Sequence, residues 1–208
     1  MAATHALFDP CAMPEYVGAL RAEAQSALAE SGGVWQYSTI KNLRRLDSFL
    51  KESQRVNQST FLGFDRKVMS TIKLSNGTIL PPGSLIMMPG GPMSRDPEYY
   101  KNPGSFEGRR FYRSVAHLSD DASKAMARTA QDYKGIEPGN LLWGNGRFTC
   151  PGRWYGAAMI KLILANVLIR YDISFPDGQT ERPANTKYDT EVHPDFGAKV
   201  CFARRQLD

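Results

Sequence analysis

Three parts of the chain predict helices, and in one of them the hydrophobic residues follow a helical period. Residues 14–30 predict a helix that begins at a proline and ends before a Gly-Gly pair. Residues 39–56 predict a second helix, because leucine and phenylalanine recur every three or four positions while Lys, Arg and Glu occupy the other face. Residues 153–171 predict a third helix, which is apolar almost all round and therefore expects neighbours on most sides.

Between these helices the pattern changes to short strands and turns. Residues 69–88 predict short strands around Asn76-Gly77, since Asn-Gly is a strong hairpin signal. Residues 102–145 have few regular patterns and predict a long connection. Residues 198–203 predict a strand near the end of the chain. The expected fold class is therefore mainly α with a small β-sheet, in a single domain.

The composition of the 208 residues is that of an ordinary globular protein, with 42% hydrophobic and 23% charged residues. The net charge of +5 comes from scattered basic residues rather than from a polybasic run. A positive net charge is compatible with two kinds of partner, a nucleic acid and an acidic protein. The scattered positions of the basic residues argue against the nucleic acid. The apolar stretch at residues 154–169 contains Lys161 and Asn166, so it does not predict a membrane span.

The cysteines and histidines predict neither a disulfide framework nor a histidine-rich metal site. The cysteines are odd in number and far apart, a pattern typical of a reducing, intracellular compartment. Of these, Cys11 and Cys201 are expected to be small buried hydrophobic residues. The histidines lack metal-ligand spacing, and at least two of them are expected on the surface or in loops. The histidines are His5, His117 and His193.

The segment WGNGRFTCPG, residues 143–152, carries the main candidate chemistry. Gly144, Gly146 and Gly152 permit a tight backbone path that a flat ligand can approach closely. Cys150 lies just before the third predicted helix, where the partial positive charge of a helix N-terminus favours a thiolate. A thiolate is a soft ligand for iron, and a single cysteine suffices because haem supplies the equatorial ligands. The alternative is a loop cysteine in a glycine-rich turn before a core helix.

This segment resembles the haem-binding signature of the cytochrome P450 family, in which an aromatic residue, glycines and a basic residue precede Cys-Pro-Gly. Trp143 stands at the aromatic position, and the fixed glycines match. Phe148 stands where the signature has its basic residue, and Arg147 lies one position earlier. The resemblance implies haem b as cofactor, with the Cys150 thiolate as the axial ligand of the iron. The cofactor-binding residues that it implies are Cys150, Arg66, Arg147, Trp143, Gly144 and Gly152.

A second motif lies in the second predicted helix, where Glu52 and Arg55 are three residues apart and share a face. Such a pair is usually a solvated ion pair. In the P450 family, a Glu-x-x-Arg pair of the K helix joins a later arginine in a buried network. The segment FEGRRF, residues 106–111, resembles the motif of that arginine, with Gly108 at the usual proline. The resemblance therefore implies Arg110 as a third, structural member that braces the cysteine loop.

The order of the parts is also similar to that of the family: the end of the I helix, the J and K helices, a β region, a meander, the Cys-ligand loop and the L helix. The phrases Glu-Ser-Gln-Arg, Leu-Ser-Asn-Gly-Thr and Ser-Arg-Asp-Pro resemble those of filamentous-fungal members. Arg66 falls where such proteins often have a haem-propionate arginine, and a surface arginine is the alternative. The resemblance covers nearly all of residues 1–208, but only the C-terminal, haem-ligating portion of a P450.

The resemblance implies a haem-thiolate monooxygenase that inserts one oxygen atom from O₂ into a small lipophilic substrate, in fungal secondary-metabolite biosynthesis. It implies NADPH–cytochrome P450 reductase as the electron donor, and no nucleic acid as partner. Full-length relatives are expected at the endoplasmic-reticulum membrane through an N-terminal anchor, which this chain is expected to lack together with the oxygen-activation motif of the I helix. The alternative is a catalytically inactive remnant that binds haem or a partner.

Overall fold

A computed structural model describes residues 1–114, 132–137 and 139–206 of the chain. These residues form mainly helices with small antiparallel sheets, which confirms the expected fold class. The meander predicted within residues 102–145 falls partly at 115–131, outside the described residues, as does His117. The helices are α1 (Ala2–Ala12), α2 (Val17–Glu30), α3 (Tyr37–Lys41), α4 (Arg44–Val56), α5 (Gly90–Met93), α6 (Arg110–Ser114) and α7 (Arg153–Arg170).

The strands of the described residues form four antiparallel pairs instead of one sheet. The hairpin between β2 and β3 turns at Asn76-Gly77 as predicted, with Gly77 at a φ of 89°. Glycine adopts this left-handed conformation without steric cost. The pairs are β1 (Gly63–Lys67) with β4 (Leu85–Met88), β2 (Ile72–Lys73) with β3 (Ile79–Leu80), β5 (Tyr171–Ser174) with β8 (Cys201–Arg204), and β6 (Thr186–Tyr188) with β7 (Glu191–His193).

The helix predicted at residues 14–30 is confirmed, with a 3-10 turn at Pro14–Tyr16 leading into α2. The third predicted helix is confirmed as α7. No helix within the described ranges is both long and apolar enough to cross a membrane. The strand expected at 198–203 forms as β8, beginning three residues later. Strand β1 lies before the region in which strands were predicted, so the expected start of the strand region is wrong.

The helix predicted at residues 39–56 is divided into α3 and α4, so the prediction of one continuous helix is wrong. The carboxylate of Glu23, on α2, accepts hydrogen bonds from the backbone N–H groups of Arg45 and Leu46 at 2.8 and 3.0 Å. These N–H groups lie in the first turn of α4, where they have no partner within the helix. A side chain from a different helix thus caps α4 and stabilises its separate start.

The main core lies where α1, α2, α4 and α7 meet. Apolar side chains of α4 face the inner side of α7, while the outer side of α7 leaves Tyr155, Met159 and Ile163 exposed. The third predicted helix is therefore apolar on both sides but buried on one. The buried core residues are Ala6, Leu20, Ala24, Leu43, Leu46, Phe49, Leu50, Tyr133, Ala157, Leu164, Ala165, Leu168 and Ile169.

The structure tests the expectations for Cys11, Cys201 and His5. Cys11 is buried in a small cluster with Phe8 and Phe175, as predicted, and this burial raises the pKa of its thiol to about 11. The expectation that Cys201 is buried is wrong: it lies on β8, whose four residues are all exposed. His5 is buried in α1 with 3% of its surface exposed, so it is not a surface or loop residue.

Candidate functional site

The cysteine loop, residues 143–152, is a compact turn that ends at the start of α7. The N–H group of Cys150 donates to the carbonyl of Trp143 at 2.7 Å, which closes the loop across its base. A 3-10 turn at Gly146–Phe148 fills the middle. The thiol of Cys150 is free and partly exposed, so the loop presents a sulfur atom to its surroundings just before the helix begins.

Two glycines of the cysteine loop, Gly144 and Gly146, are required by its path. Gly144 and Gly146 have φ values of 74° and 63°, a conformation that side chains with a Cβ rarely adopt. A Cβ at Gly144 would lie 2.9 Å from the carbonyl oxygen of Phe148. A Cβ at Gly152 would lie 3.9 Å from the sulfur of Cys150, in van der Waals contact with it. The glycines thus keep both the turn and one side of the sulfur free of side-chain atoms.

Trp143 connects the cysteine loop to the core. Its indole N–H donates to the carbonyl of Tyr133 at 2.8 Å, and its ring meets the Tyr133 ring edge-on. The N–H group of Tyr133 in turn donates to the carboxylate of Asp47 on α4 at 3.3 Å. Asp47 also accepts a hydrogen bond from Lys161 of α7 at 2.9 Å. A continuous series of contacts therefore joins α7 and α4 to the loop.

Asp47 and Lys161 were not found from the sequence, although they form a buried ion pair. Both side chains are about 5% exposed. Burial raises the pKa of Asp47 and lowers that of Lys161, while the attraction between the two opposes both shifts. In the sequence, Lys161 stands out only as a polar interruption of an apolar stretch. The signal available was this lysine on a helix with apolar residues all round, which predicts a buried acidic partner but not its identity.

Glu52, Arg55 and Arg110 lie together in the structure. The two oxygens of Glu52 accept hydrogen bonds from Nε and Nη2 of Arg55, each at 2.8 Å. Nε of Arg110 donates to the same carboxylate at 3.0 and 3.1 Å. The N–H group of Glu107 donates to it as well, at 2.8 Å. Glu52 and Arg55 are fully buried, so this is not a solvated surface pair.

The remaining donors of the two arginines bind backbone carbonyl groups. Among the described residues, these carbonyl groups belong to residues 94–105, which come before the cysteine loop in the chain. No contact therefore supports the expectation that the network braces that loop directly. The network instead fixes the segment from α5 to the start of α6 by binding several of its carbonyl groups. The carbonyl acceptors are those of Ser94, Lys101, Asn102, Pro103 and Ser105.

Gly108, which stands at the usual proline of the arginine motif, is explained by its neighbours. A Cβ at this position would lie 2.8 Å from the Tyr16 ring and 2.9 Å from the Phe49 ring. Its N–H group also donates to the hydroxyl of Tyr16 at 3.2 Å. Proline has no N–H group and carries a ring at this point, so it would lose the hydrogen bond and collide with two aromatic side chains.

Arg66 and Arg147 lie at different places relative to the cysteine loop. Arg66 is on β1, and its guanidinium carbon lies 4.3 Å from the centre of the Phe148 ring. The loop itself therefore contacts Arg66 through the residue that replaces the basic member of the signature. Arg147 is exposed on the loop, and no contact among the described residues fixes its side chain.

Known proteins resemble the chain along nearly its whole length. A sequence profile of the cytochrome P450 family matches residues 2–202. A cytochrome P450 monooxygenase of Emericella nidulans is 37% identical over 205 residues, which are 99% of this chain and 37% of that protein. The ent-kaurene oxidase of Gibberella intermedia is 37% identical over 210 residues, covering 100% of this chain and 38% of the oxidase. The monooxygenase paxQ of Penicillium paxilli is 37% identical over 202 residues, covering 97% and 38%. The chain thus spans less than two-fifths of the length of these relatives.

Proposed function

Because the chain belongs to the cytochrome P450 family, we propose that it is the C-terminal, haem-ligating portion of a monooxygenase, with Cys150 as the axial thiolate ligand. The observation that carries this proposal is the partly exposed, free thiol of Cys150, held in a glycine-lined turn at the start of α7. A thiolate is the ligand of haem iron in this family, where it favours cleavage of the O–O bond.

The residues of the loop fit a flat iron–porphyrin. Iron takes a soft thiolate donor, and Gly144 and Gly152 keep side-chain atoms away from the turn and from one side of the sulfur. Arg66 and Arg147 would supply positive charge for the propionates. Trp143 would hold the loop in place through its hydrogen bond to Tyr133, and its ring edge would be available to the cofactor.

The helices are assigned by the order of the family. In this proposal α1 is the end of the I helix, α2 the J helix, α4 the K helix and α7 the L helix. The strands β1–β4 form the β region, and the segment between α6 and the cysteine loop is the meander. Glu52, Arg55 and Arg110 are the buried network of the K helix, with a structural role.

The whole enzyme would insert one oxygen atom from O₂ into a small lipophilic substrate. The haem supplies the oxygen chemistry when bound, while this chain holds the cofactor and orients it. Ent-kaurene oxidase and paxQ are among the fungal relatives, which supports a substrate from fungal secondary metabolism. NADPH–cytochrome P450 reductase would supply electrons, and the endoplasmic-reticulum membrane would be the location of the full-length protein.

An inactive haem-binding or partner-binding remnant is the second candidate. The observation that favours it is the exposed apolar side of α7, formed by Tyr155, Met159 and Ile163, because such a surface usually contacts other protein. The two candidates differ in the turnover of the whole protein that contains this chain. An assay of substrate oxidation by that whole protein, with reductase and NADPH, therefore separates them.

The absorption spectrum of the reduced chain, with haem and carbon monoxide bound, tests whether Cys150 is the iron ligand. The wild-type chain should give the red-shifted Soret band of a thiolate ligand, and Cys150→Ala should lose it. Cys201→Ala is the matched control, because Cys201 is an exposed cysteine on β8, and it should keep the band. Persistence of the band in Cys150→Ala, or its loss in Cys201→Ala, would contradict the assignment.

A further inference from the structure

Phe148 lies in the cysteine loop at the position where the signature has a basic residue, and its ring is 66% exposed. This exposed ring has a partner on a different element. The guanidinium carbon of Arg66 lies 4.3 Å from the centre of the Phe148 ring and 4.1 Å from the centre of the Phe64 ring. Both distances are within the range of attractive cation–π contacts. The cation of Arg66 is therefore in contact with two aromatic rings.

The backbone of β1 is distorted where these side chains leave it. The pairing of β1 with β4 changes register between Gly63 and Arg66. Within this bulge, Phe64 has a φ of 61°, in the left-handed region that residues with a Cβ rarely adopt. Bulges redirect side chains, and strained backbone of this kind persists where the surrounding structure demands it. Here the distortion brings the Phe64 ring and the Arg66 guanidinium together beside the cysteine loop.

The charge of Arg66 is not neutralised by the rest of the described chain. Its Nη1 donates to the carbonyl of Asp65 at 2.7 Å. Across the residues that the structure describes, Arg66 has no carboxylate within ion-pair distance. A guanidinium has five N–H donors in a planar fork that matches a carboxylate. The remaining donors of Arg66 are therefore available to an anionic ligand.

We propose that Phe148 is a positioning residue, whose ring together with that of Phe64 holds Arg66 at the cysteine loop to bind a propionate carboxylate of the porphyrin. The Phe148 ring of the loop would thus hold the guanidinium of Arg66, from β1, at the place where the signature has a basic side chain of the loop itself. Held between the rings, Arg66 loses less conformational freedom when it binds the carboxylate. This inference rests on the proposed function, since it takes haem as the ligand.

The experiment compares two porphyrins that differ only at the propionates. Hemin and hemin dimethyl ester are titrated into the 208-residue chain, and each affinity is read from the Soret band. The wild type should prefer hemin by about tenfold, the size of one charge-assisted contact. Phe148→Leu, which keeps an apolar side chain but removes the ring face, should reduce this preference to about the level of Arg66→Gln. Phe148→Tyr should retain it.

Controls separate positioning from folding. Phe196→Leu replaces another exposed phenylalanine far along the chain, 78% exposed, and should keep the preference. The urea midpoint of Phe148→Leu should match the wild type, because a side chain this exposed contributes little burial. The double variant Arg66→Gln with Phe148→Leu should lose no more preference than Arg66→Gln alone, since the two residues act through one contact.

Three results would overturn the inference. Full preference for hemin in Phe148→Leu would show that the ring is not needed. Full preference in Arg66→Gln, with loss in Arg147→Gln, would assign the propionate to the other arginine. Failure of the wild type to bind either porphyrin would overturn the proposed function itself, and this inference with it.

Discussion

The carboxylate of Glu52 accepts hydrogen bonds from two guanidinium groups and one backbone N–H group, and none of its surface is exposed. Each partner donates to a charged acceptor, which makes the bonds stronger than neutral ones. Removing the negative charge would leave the buried Arg55 and the partly buried Arg110 beside each other without compensation. The free energy of unfolding that is lost by removing one member of a buried ion pair exceeds the net stabilisation that the pair contributes.

Glu52→Gln should therefore lower the free energy of unfolding by about 3 kcal/mol or more. The measurement is urea denaturation followed by circular dichroism. Glu107→Gln is the matched control: its carboxylate lies 3.6 Å from Arg110 but is 35% exposed, so the loss should stay below about 1 kcal/mol. Equal losses in the two variants would show that the buried network contributes no more than a surface pair.

Gly108 provides a second test at the scale of one residue. Gly108→Ala should cost about 1–3 kcal/mol, because the added carbon would displace the Tyr16 and Phe49 rings. Gly108→Pro should cost more, since it also removes the hydrogen bond to Tyr16. A Cβ at Gly104 meets nothing within 4 Å, so Gly104→Ala should stay within about 0.5 kcal/mol. A stabilising Gly108→Pro would refute this account of the departure from the family motif.

At the scale of elements, the helices show what a local pattern can and cannot predict. A proline and a Gly-Gly pair bounded α2, and an apolar run marked α7. The spacing of apolar residues identified the α4 region, because burial of one face determines that spacing. It did not separate α3 from α4, because the cap comes from Glu23, about twenty positions earlier in the chain. Contacts between distant residues are invisible to a window of a few turns.

The same limit applies to the candidate site. The cysteine and glycines of the loop were found from the sequence, since they are adjacent in it. The contact of Arg66 with Phe148 depends on a bulge in β1 and on a left-handed Phe64, neither of which has a sequence pattern. Cys201 was expected inside because cysteine is usually buried, but among the described residues β8 pairs with β5 alone, and all four of its residues are exposed.

Glu23→Ala should destabilise the protein by about 1–2 kcal/mol, because two N–H groups at the start of α4 lose their acceptor. Glu23→Gln keeps one amide oxygen and should recover part of this loss. Gln25→Ala, an exposed change on the same helix, controls for altered helix propensity of α2. Thermal or urea unfolding measures all three. If Glu23→Ala and Gln25→Ala were equally mild, the inter-helix cap would have no energetic role.

At the scale of the whole molecule, the two ends of the chain are joined by Arg182. This arginine, from the segment between β5 and β6, donates to Asp9 of α1 at 2.6 Å and lies 2.6 Å from Nδ1 of His5. Burial lowers the pKa of His5 to about 4, with help from the positive charges of Arg182 and the N-terminus. Burial raises the pKa of Asp9, and Arg182 opposes that shift.

Because the pKa of His5 is lowered in the folded chain, the free energy of unfolding should fall as the pH falls. The unfolded chain binds a proton at His5 near pH 6.5, whereas the folded chain does so near pH 4, so the contribution of His5 is lost as the pH falls through this range. Between pH 7 and 5 the loss should be about 2 kcal/mol.

Urea denaturation at pH 7 and pH 5 tests this dependence. His5→Asn should reduce the difference in unfolding free energy between the two pH values, because the titrating group is gone. Asp9 is present in both proteins, so its own titration largely cancels in the comparison. An unchanged difference in His5→Asn would rule out His5 as its source.

The strand pairs have a practical consequence for anyone who purifies the chain. Within the described residues most strands are paired on one edge, so their other edge presents backbone groups that can hydrogen-bond to another polypeptide. Strand β7 is an exception, because residues 59–61 bond to its second edge. Ile79, Leu85 and Met87 are exposed apolar residues of β3 and β4. The isolated chain should consequently associate with itself as its concentration rises, and dilute solutions are the conditions in which spectra and titrations would report on single molecules.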